Sequence, residues 1–190
     1  TLTGLGKWWG RKPLILVRAA LLRLLMPVSN DPKKDREIFL KILTMDEDGL
    51  LLRKNKNLTI KELADLLTPS ERKKFIDDSG KRVTFKKGVS KVEKDYLHEL
   101  TFNRLSHDEK LKLCLRPEGS PELPAKAWVT INSHLGTSAK SLQELIRELG
   151  EKRFGHSPVV GDCFSGGGSI PFEAARMGAN VFASDLNPIA

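Results

Sequence analysis

Residues 159–190 read VVGDCFSGGGSIPFEAARMGANVFASDLNPIA, and no other stretch constrains the fold so tightly. Val159 and Val160 are the visible end of an apolar strand, and Asp162 sits where that strand gives way to a loop. Gly166, Gly167 and Gly168 permit backbone angles that side chains forbid and let a ligand approach the main chain. IPFEAARM reads as a short helix that Gly178 stops. Asn180–Ser184 reads as a second strand, with Asp185 at its carboxyl end. Strand, glycine turn, helix, strand and acid form the first half of a nucleotide-type binding unit. Ser169 is expected to cap the helix, and Glu173 to sit in its first turn, where the helix dipole favours an acid.

The spacing narrows the ligand. A phosphate-gripping loop needs Lys-Ser or Lys-Thr after the glycines, and neither is present. A dinucleotide fingerprint, counted from Gly166 and Gly168, needs its third glycine where Pro171 stands. An acid just ahead of the glycines would also repel a pyrophosphate. Asp162 suits a ligand with a positive end and no phosphates. S-adenosylmethionine is such a ligand, with an ammonium group, a cationic sulfonium and a ribose diol. Asp162 then faces the ammonium side, the glycine backbone passes beneath the methionine and ribose, and Asp185 accepts from the ribose hydroxyls. The competing reading is a glycine-rich turn with a structural aspartate.

The 190 residues could form one ordinary domain or parts of two. The chain starts at Thr1 and stops just after the second predicted strand, and the expectation is a fragment truncated at both ends. Its formal charge is +8. Much of the excess lies between Arg53 and Lys91, which is compatible with nucleic-acid binding, although charge alone favours a solvated, lysine-rich surface. Cys114 and Cys163 are isolated, and His98, His107, His134 and His156 are scattered, so no zinc site is expected. Reduced cysteines fit a cytoplasmic protein. Pro13–Met26 is apolar but broken by Arg18 and Arg23, too short and too charged to span a bilayer. It also lacks the cleavage site of a signal peptide.

Helix signals recur along the chain. Residues 13–25 place Leu14, Val17, Leu21 and Leu24 at helical spacing, with Arg18 and Arg23 snorkelling to solvent and Pro13 at the first helical position. SNDPKKD reads as a loop, and 35–52 as a second helix ending near Gly49. Thr59 with Glu62, Thr68 with Glu71, Ser106 with Glu109 and Ser141 with Glu144 each place a hydroxyl three residues before a Glu, the capping-box signature. The basic stretch 79–91, with the β-prone run Val83–Phe85, reads as a hairpin or loop. Arg116–Pro124 is an irregular connector, and Gly150 closes the last helix before the glycine motif as a left-handed cap. The expected fold class is α/β: the start of a Rossmann-like sheet (first strand, helix, second strand) preceded by a mostly helical basic region. The expected divisions are 1–30, 31–124 and 125–190.

DCFSGGGS resembles motif I of class I methyltransferases, and ASDLNP resembles the end of their second strand. More closely, the chain resembles the adenine-specific DNA methylase family that opens with the domain of unknown function number 1156. Three segments carry the likeness: WWGRKPLILVRAALL, INSHLGTSAKSLQELIRELGEKRFG and the glycine-containing core. The stretch from Asp31 to Pro124 is less diagnostic. The resemblance implies a DNA adenine N6-methyltransferase using S-adenosylmethionine. It makes Asp162, Phe164, Gly166, Gly167, Gly168 and Asp185 cofactor-binding residues. In amino-methyltransferases a Lys-Pro followed by an apolar helix, motif X, packs beside the cofactor's methionine end; Lys12, Pro13 and Leu14, then Val17 and Leu21, match that pattern. Helix donors near Pro13 would meet the cofactor carboxylate. The alternative is an ordinary core helix with a basic flank. Trp8 and Trp9 either stack on a base, shield the cleft or anchor a core, and Phe164 packs beside the cofactor or under the turn.

The family's methylating tetrad, Asp/Asn-Pro-Pro-Tyr/Phe, is absent. Asn187-Pro188 is followed by Ile189 and lies at the second strand, so it is not that motif. Catalytic residues are therefore expected downstream of Ala190, as is the family's zinc ribbon, and no metal ligand is expected here. The resemblance implies DNA as the partner, contacted through Arg53–Lys91 of the helical insertion, and no membrane is expected. Restriction–modification or phage defence is what the family implies for biology. A methyltransferase acting on RNA or another amine, a nucleic-acid-binding scaffold with a degenerate cofactor fold, and a nicotinamide oxidoreductase are the rival readings.

Overall fold

The structure, a computed structural model, describes residues 13–80 and 82–186. Lys12, Trp8 and Trp9 lie outside the described residues. The chain divides into two compact units, Thr1–Gly49 with Pro117–Ala190, and Leu50–Arg116. The first contains α1 (Leu14–Leu25), α2 (Pro32–Ile42) and the start of α3 (Glu47–Leu52). The second contains α4 (Ile60–Asp65), α5 (Pro69–Phe75), β1 (Ile76–Asp77), β2 (Thr84–Phe85), α6 (Lys91–Arg104) and α7 (His107–Leu113). The chain then returns to the first unit with a 3-10 turn (Pro117–Gly119), α8 (Ala125–Leu135), α9 (Leu142–Phe154), β3 (Val159–Asp162), α10 (Ser169–Arg176) and β4 (Asn180–Ala183).

The core of the first unit gathers Leu22, Ile38, Ile131 and Leu145, all fully buried, around the meeting of α1, α2, α8 and α9. Each such side chain contributes about 1.5–3 kcal/mol of transfer free energy. α1 buries Val17, Arg18, Leu22 and Leu25, while Leu24 is 63% exposed. The predicted Leu24 face is therefore corrected: packing on α9 and α10 rotates the buried stripe toward Leu25.

Two glycines expected to stop helices do something else. The predicted helix 35–52 is two helices. α2 begins earlier, at Pro32, because Asp31 accepts from the Lys34 N–H and caps it. The break falls at Thr44, whose φ of 55° is left-handed. Gly49 lies inside α3, and a Cβ there would come within 2.4 Å of the Thr44 carbonyl carbon. Gly150 likewise lies inside α9, where a Cβ would meet Pro158 Cδ at 2.4 Å. The left-handed cap is Gly155, with φ 77°. Both glycines are sites of close backbone approach, which sequence reads as stops.

β3 and β4 pair in parallel, Val159 with Asn180 through Asp162 with Ala183, and α10 connects them. The sheet has two strands, so the described fold is mixed α/β and mostly helical. Val159, Val181 and Phe182 on these strands stay exposed.

The second unit has its own small core of Leu63, Ala64, Leu67, Ile76 and Leu97. β1 and β2 form an antiparallel hairpin, Ile76 opposite Phe85. Capping boxes open α4 at Thr59, α5 at Thr68 and α7 at Ser106, and a further one opens α6 at Ser90 with Glu93. The two ends of this unit are tied together. Lys54 bridges Cys114, and the Asn55 and Lys56 N–H groups donate to Leu113 O at 2.9 and 3.1 Å. The buried Arg53 guanidinium donates to Leu115 O, and the Cys114 thiol to Leu50 O at 3.2 Å.

Candidate functional site

Three main-chain bonds shape the glycine turn. Ser184 N–H donates to Asp162 O at 2.9 Å, Ser165 N–H to Ser184 O at 3.1 Å, and Gly168 N–H to Ser165 O at 2.7 Å. They carry the β3–β4 ladder on into the bend. Gly166 and Gly168 have φ of 48° and 71°, a region that costs other L-residues about 1–2 kcal/mol. A Cβ at either position would meet nothing within 4 Å. Backbone angle therefore demands glycine here, and the main chain faces open space. Gly167 lies between them in the same turn.

Both predicted acids reach this bend. Asp162 Oδ1 accepts from the Phe164 N–H at 3.1 Å, and Asp185 Oδ2 accepts from the Gly166 N–H at 2.8 Å. Parallel pairing of β3 with β4 is what brings Asp185 back onto the turn. The same bonds would serve two purely structural aspartates. Phe164 is 76% exposed, so of its two expected places the one under the turn is not taken, and the one beside a ligand stays open.

α10 starts differently from expectation. Its N-cap is Gly168, no side chain caps it, and Ser169 is its first residue and buried. Glu173 lies beyond the first turn and is fully buried. Its Oε1 accepts from Arg18 Nε at 2.7 Å and Nη2 at 2.6 Å, and Arg176 Nη1 stands 3.3 Å from Oε2. Arg18 therefore does not snorkel to solvent: a carboxylate 155 residues away holds it inside. Arg23 is exposed as expected.

This ion pair fastens α1 along α10. Pro13, Leu16, Val17, Ala20, Leu21 and Ile170 line one apolar depression of about 380 Å³. Pro13 thus shares a wall with the first turn of α10, immediately after Gly168. Pro13 is the N-cap of α1, one position earlier than predicted. Sequence reading missed Ile170 and the Arg18–Glu173 pair, whose partners stand 155 residues apart in the chain and carry no local signal of each other.

The site as built combines an open main-chain bend, two carboxylates, a helix start without a side-chain cap and an apolar wall. It can hold a ligand with hydroxyl and cationic groups near the acids. Among the described residues, no group of three or more His, Cys, Asp and Glu side chains is placed to hold a metal. No described helix is long and apolar enough to cross a membrane.

A family model described as "Protein of unknown function (DUF1156)" matches residues 1–42. No curated protein matches the chain, and no solved structure does. The matched segment takes in α1 and α2 and stops well short of the glycine turn, so the comparisons give similarity to that family over the amino-terminal 42 residues.

Proposed function

We propose that this chain holds the S-adenosylmethionine-binding site of a DNA adenine N6-methyltransferase. The observation that carries the reading is the Asp185–Gly166 hydrogen bond, which sets the second acid at the rim of an open glycine bend. The residues present fit the cofactor. The main chain at Gly166 and Gly168 meets nothing where a Cβ would stand. Acids bracket the bend at both ends, and the apolar wall from Pro13 to Ile170 runs beside it.

In this reading Asp162 holds the ammonium end, the Gly166–Gly168 backbone passes beneath the methionine and ribose, and Asp185 accepts from the ribose diol. The start of α1 at Pro13 lies toward the carboxylate, and Phe164 covers the exposed side. When bound, S-adenosylmethionine supplies an electrophilic methyl group on its sulfonium. The contribution of these residues is binding and orientation, which for an in-line transfer is a large share of the rate enhancement. DNA as the methyl acceptor rests on the resemblance and on the basic charge of the chain.

Calorimetric titration of the chain with S-adenosylmethionine tests the cofactor role, using Asp185→Ala and Asp185→Asn. A hydrogen bond to a charged group contributes about 1.5–3 kcal/mol, so Asp185→Ala is expected to weaken binding by about tenfold or more. Asp185→Asn, which keeps an acceptor for Gly166, should fall between the two. Unchanged affinity in Asp185→Ala, or no binding by the unaltered chain, overturns the reading.

A further inference from the structure

The charge of the chain is concentrated in one unit. Leu50–Arg116 holds 17 Lys and Arg against 10 Asp and Glu, a balance of +7 out of the chain's +8. The structure shows why this excess is not neutralised locally. Most of the unit's acids are committed to backbone or to arginine. Glu62, Glu71, Glu93 and Glu109 close capping boxes, Glu71 also takes both ends of Arg104, and Asp77 binds Ser79. Asp65 and Asp78 both go to Arg72.

The lysines are left outward. Lys73 and Lys74 end α5, Lys86 and Lys87 follow β2, and Lys91 and Lys94 open α6. The hairpin draws these three places together. Lys86 N–H donates to Phe75 O at 2.9 Å, its ammonium reaches Lys73 O, and Lys94 Nζ lies 5.5 Å from the Phe85 ring centre. All except Lys94 are exposed, and none of the six forms an ion pair among the described residues. Lys74 and Lys86 sense Glu93 and Asp77 only as more distant charges.

We infer that this hairpin face is a docking surface for the phosphodiester backbone of duplex DNA. Lysines are point charges without the planar fork that reads a base edge, so the face fixes position and not sequence. Six cations on three adjoining elements match a regularly charged polyanion better than a single small anion, which needs a built pocket. The inference deepens the DNA part of the function proposed above. It is tested without any nucleoside present, so its failure leaves the cofactor reading standing, and the reverse holds too.

The experiment is fluorescence anisotropy of a labelled 30-base-pair duplex with the whole chain, across about 50–200 mM salt. Each phosphate neutralised adds about 0.9 to the slope of log affinity against log salt. Lys73→Gln/Lys74→Gln/Lys87→Gln/Lys91→Gln should reduce the slope by about 3 and the affinity at 100 mM salt at least tenfold. The matching Lys→Arg set keeps the charge and should keep the slope, which separates binding from any effect on folding. A control removes the same charge from exposed sites of the other unit, Lys33→Gln/Arg36→Gln/Lys126→Gln/Arg147→Gln, and should change the slope by less than about 1. Equal losses in patch and control variants overturn the inference, as does tighter binding to phosphatidylserine vesicles than to the duplex, or no binding to the duplex at all.

Discussion

Arg18→Met is the perturbation with the clearest expected size. Glu173 has no solvent-exposed side-chain surface and Arg18 only 11%. The substitution removes both short contacts to Oε1 and the bond from Arg18 to Pro117 O at 3.4 Å. It leaves a buried carboxylate whose remaining cation is the more exposed Arg176, 3.3 Å from the other oxygen. Breaking a buried pair from one side costs about 3–5 kcal/mol, because the surviving charge stays desolvated. Arg176 offsets part of this, so the expected loss is about 3 kcal/mol. Replacing both partners, Arg18→Met/Glu173→Met, removes the charge along with its partner and should recover most of that loss. Urea denaturation followed by tryptophan fluorescence gives both values by linear extrapolation, with unchanged m indicating that the unfolded reference is shared. A single substitution costing less than about 1 kcal/mol, or a double one no more stable than the single, would falsify the claim that this pair fastens α1 to α10.

Gly150→Ala should destabilise the first unit by about 1–3 kcal/mol, since the new methyl must displace Pro158 in a packed interior; a melting temperature within a degree of the parent would show that Pro158 yields freely. Acid should weaken both units. The Ser29 backbone N–H and hydroxyl, with the His134 ring, hold the Asp35 carboxyl down at about 2, and Arg104 with the Thr68 backbone and hydroxyl does the same for Glu71. Because both folded-state values are depressed, the stability these groups contribute is complete above the ordinary carboxylate range near pH 4. It drains away as pH falls toward 2. Urea midpoints measured from pH 5 to 2.5 should fall steadily, less so in Asp35→Asn, and a flat profile would rule the linkage out.

Local chemistry was readable where it is local. A hydroxyl three residues ahead of a glutamate opens α4, α5 and α7 as expected, because the reciprocal bonds need nothing beyond one turn. The same pattern at Ser90 and Glu93 opens α6, yet the basic run before it draws attention to a loop. At Ser141 the hydroxyl accepts from Glu144, but the Glu144 carboxylate turns to the Lys140 N–H, so the box is half built. α8 was legible in the spacing of Trp128, Ile131 and Leu135, all buried, though the sequence reading drew no helix there. Gly49 and Gly150 could not be read correctly, because what they make room for is Thr44 and Pro158 approaching through tertiary structure. Arg18 fails for the same reason. In the site, the bend and Asp185 were legible because strand pairing is dictated by the βαβ pattern itself, whereas the depression shared by Pro13 and Ile170 depends on how two distant helices stack.

The knotting of Arg53, Lys54 and Asn55 to Leu113, Cys114 and Leu115 changes what an interruption of this size means for the surrounding chain. A slack loop spanning residues 50–116 would impose an entropic closure penalty of about 4 kcal/mol on whatever it interrupts. Here the excursion cinches its own neck and meets that penalty from its own contacts. Changes of length beyond that neck are expected to add little closure cost, because the outgoing and returning segments are already held together by Arg53–Leu115 and Lys54–Cys114.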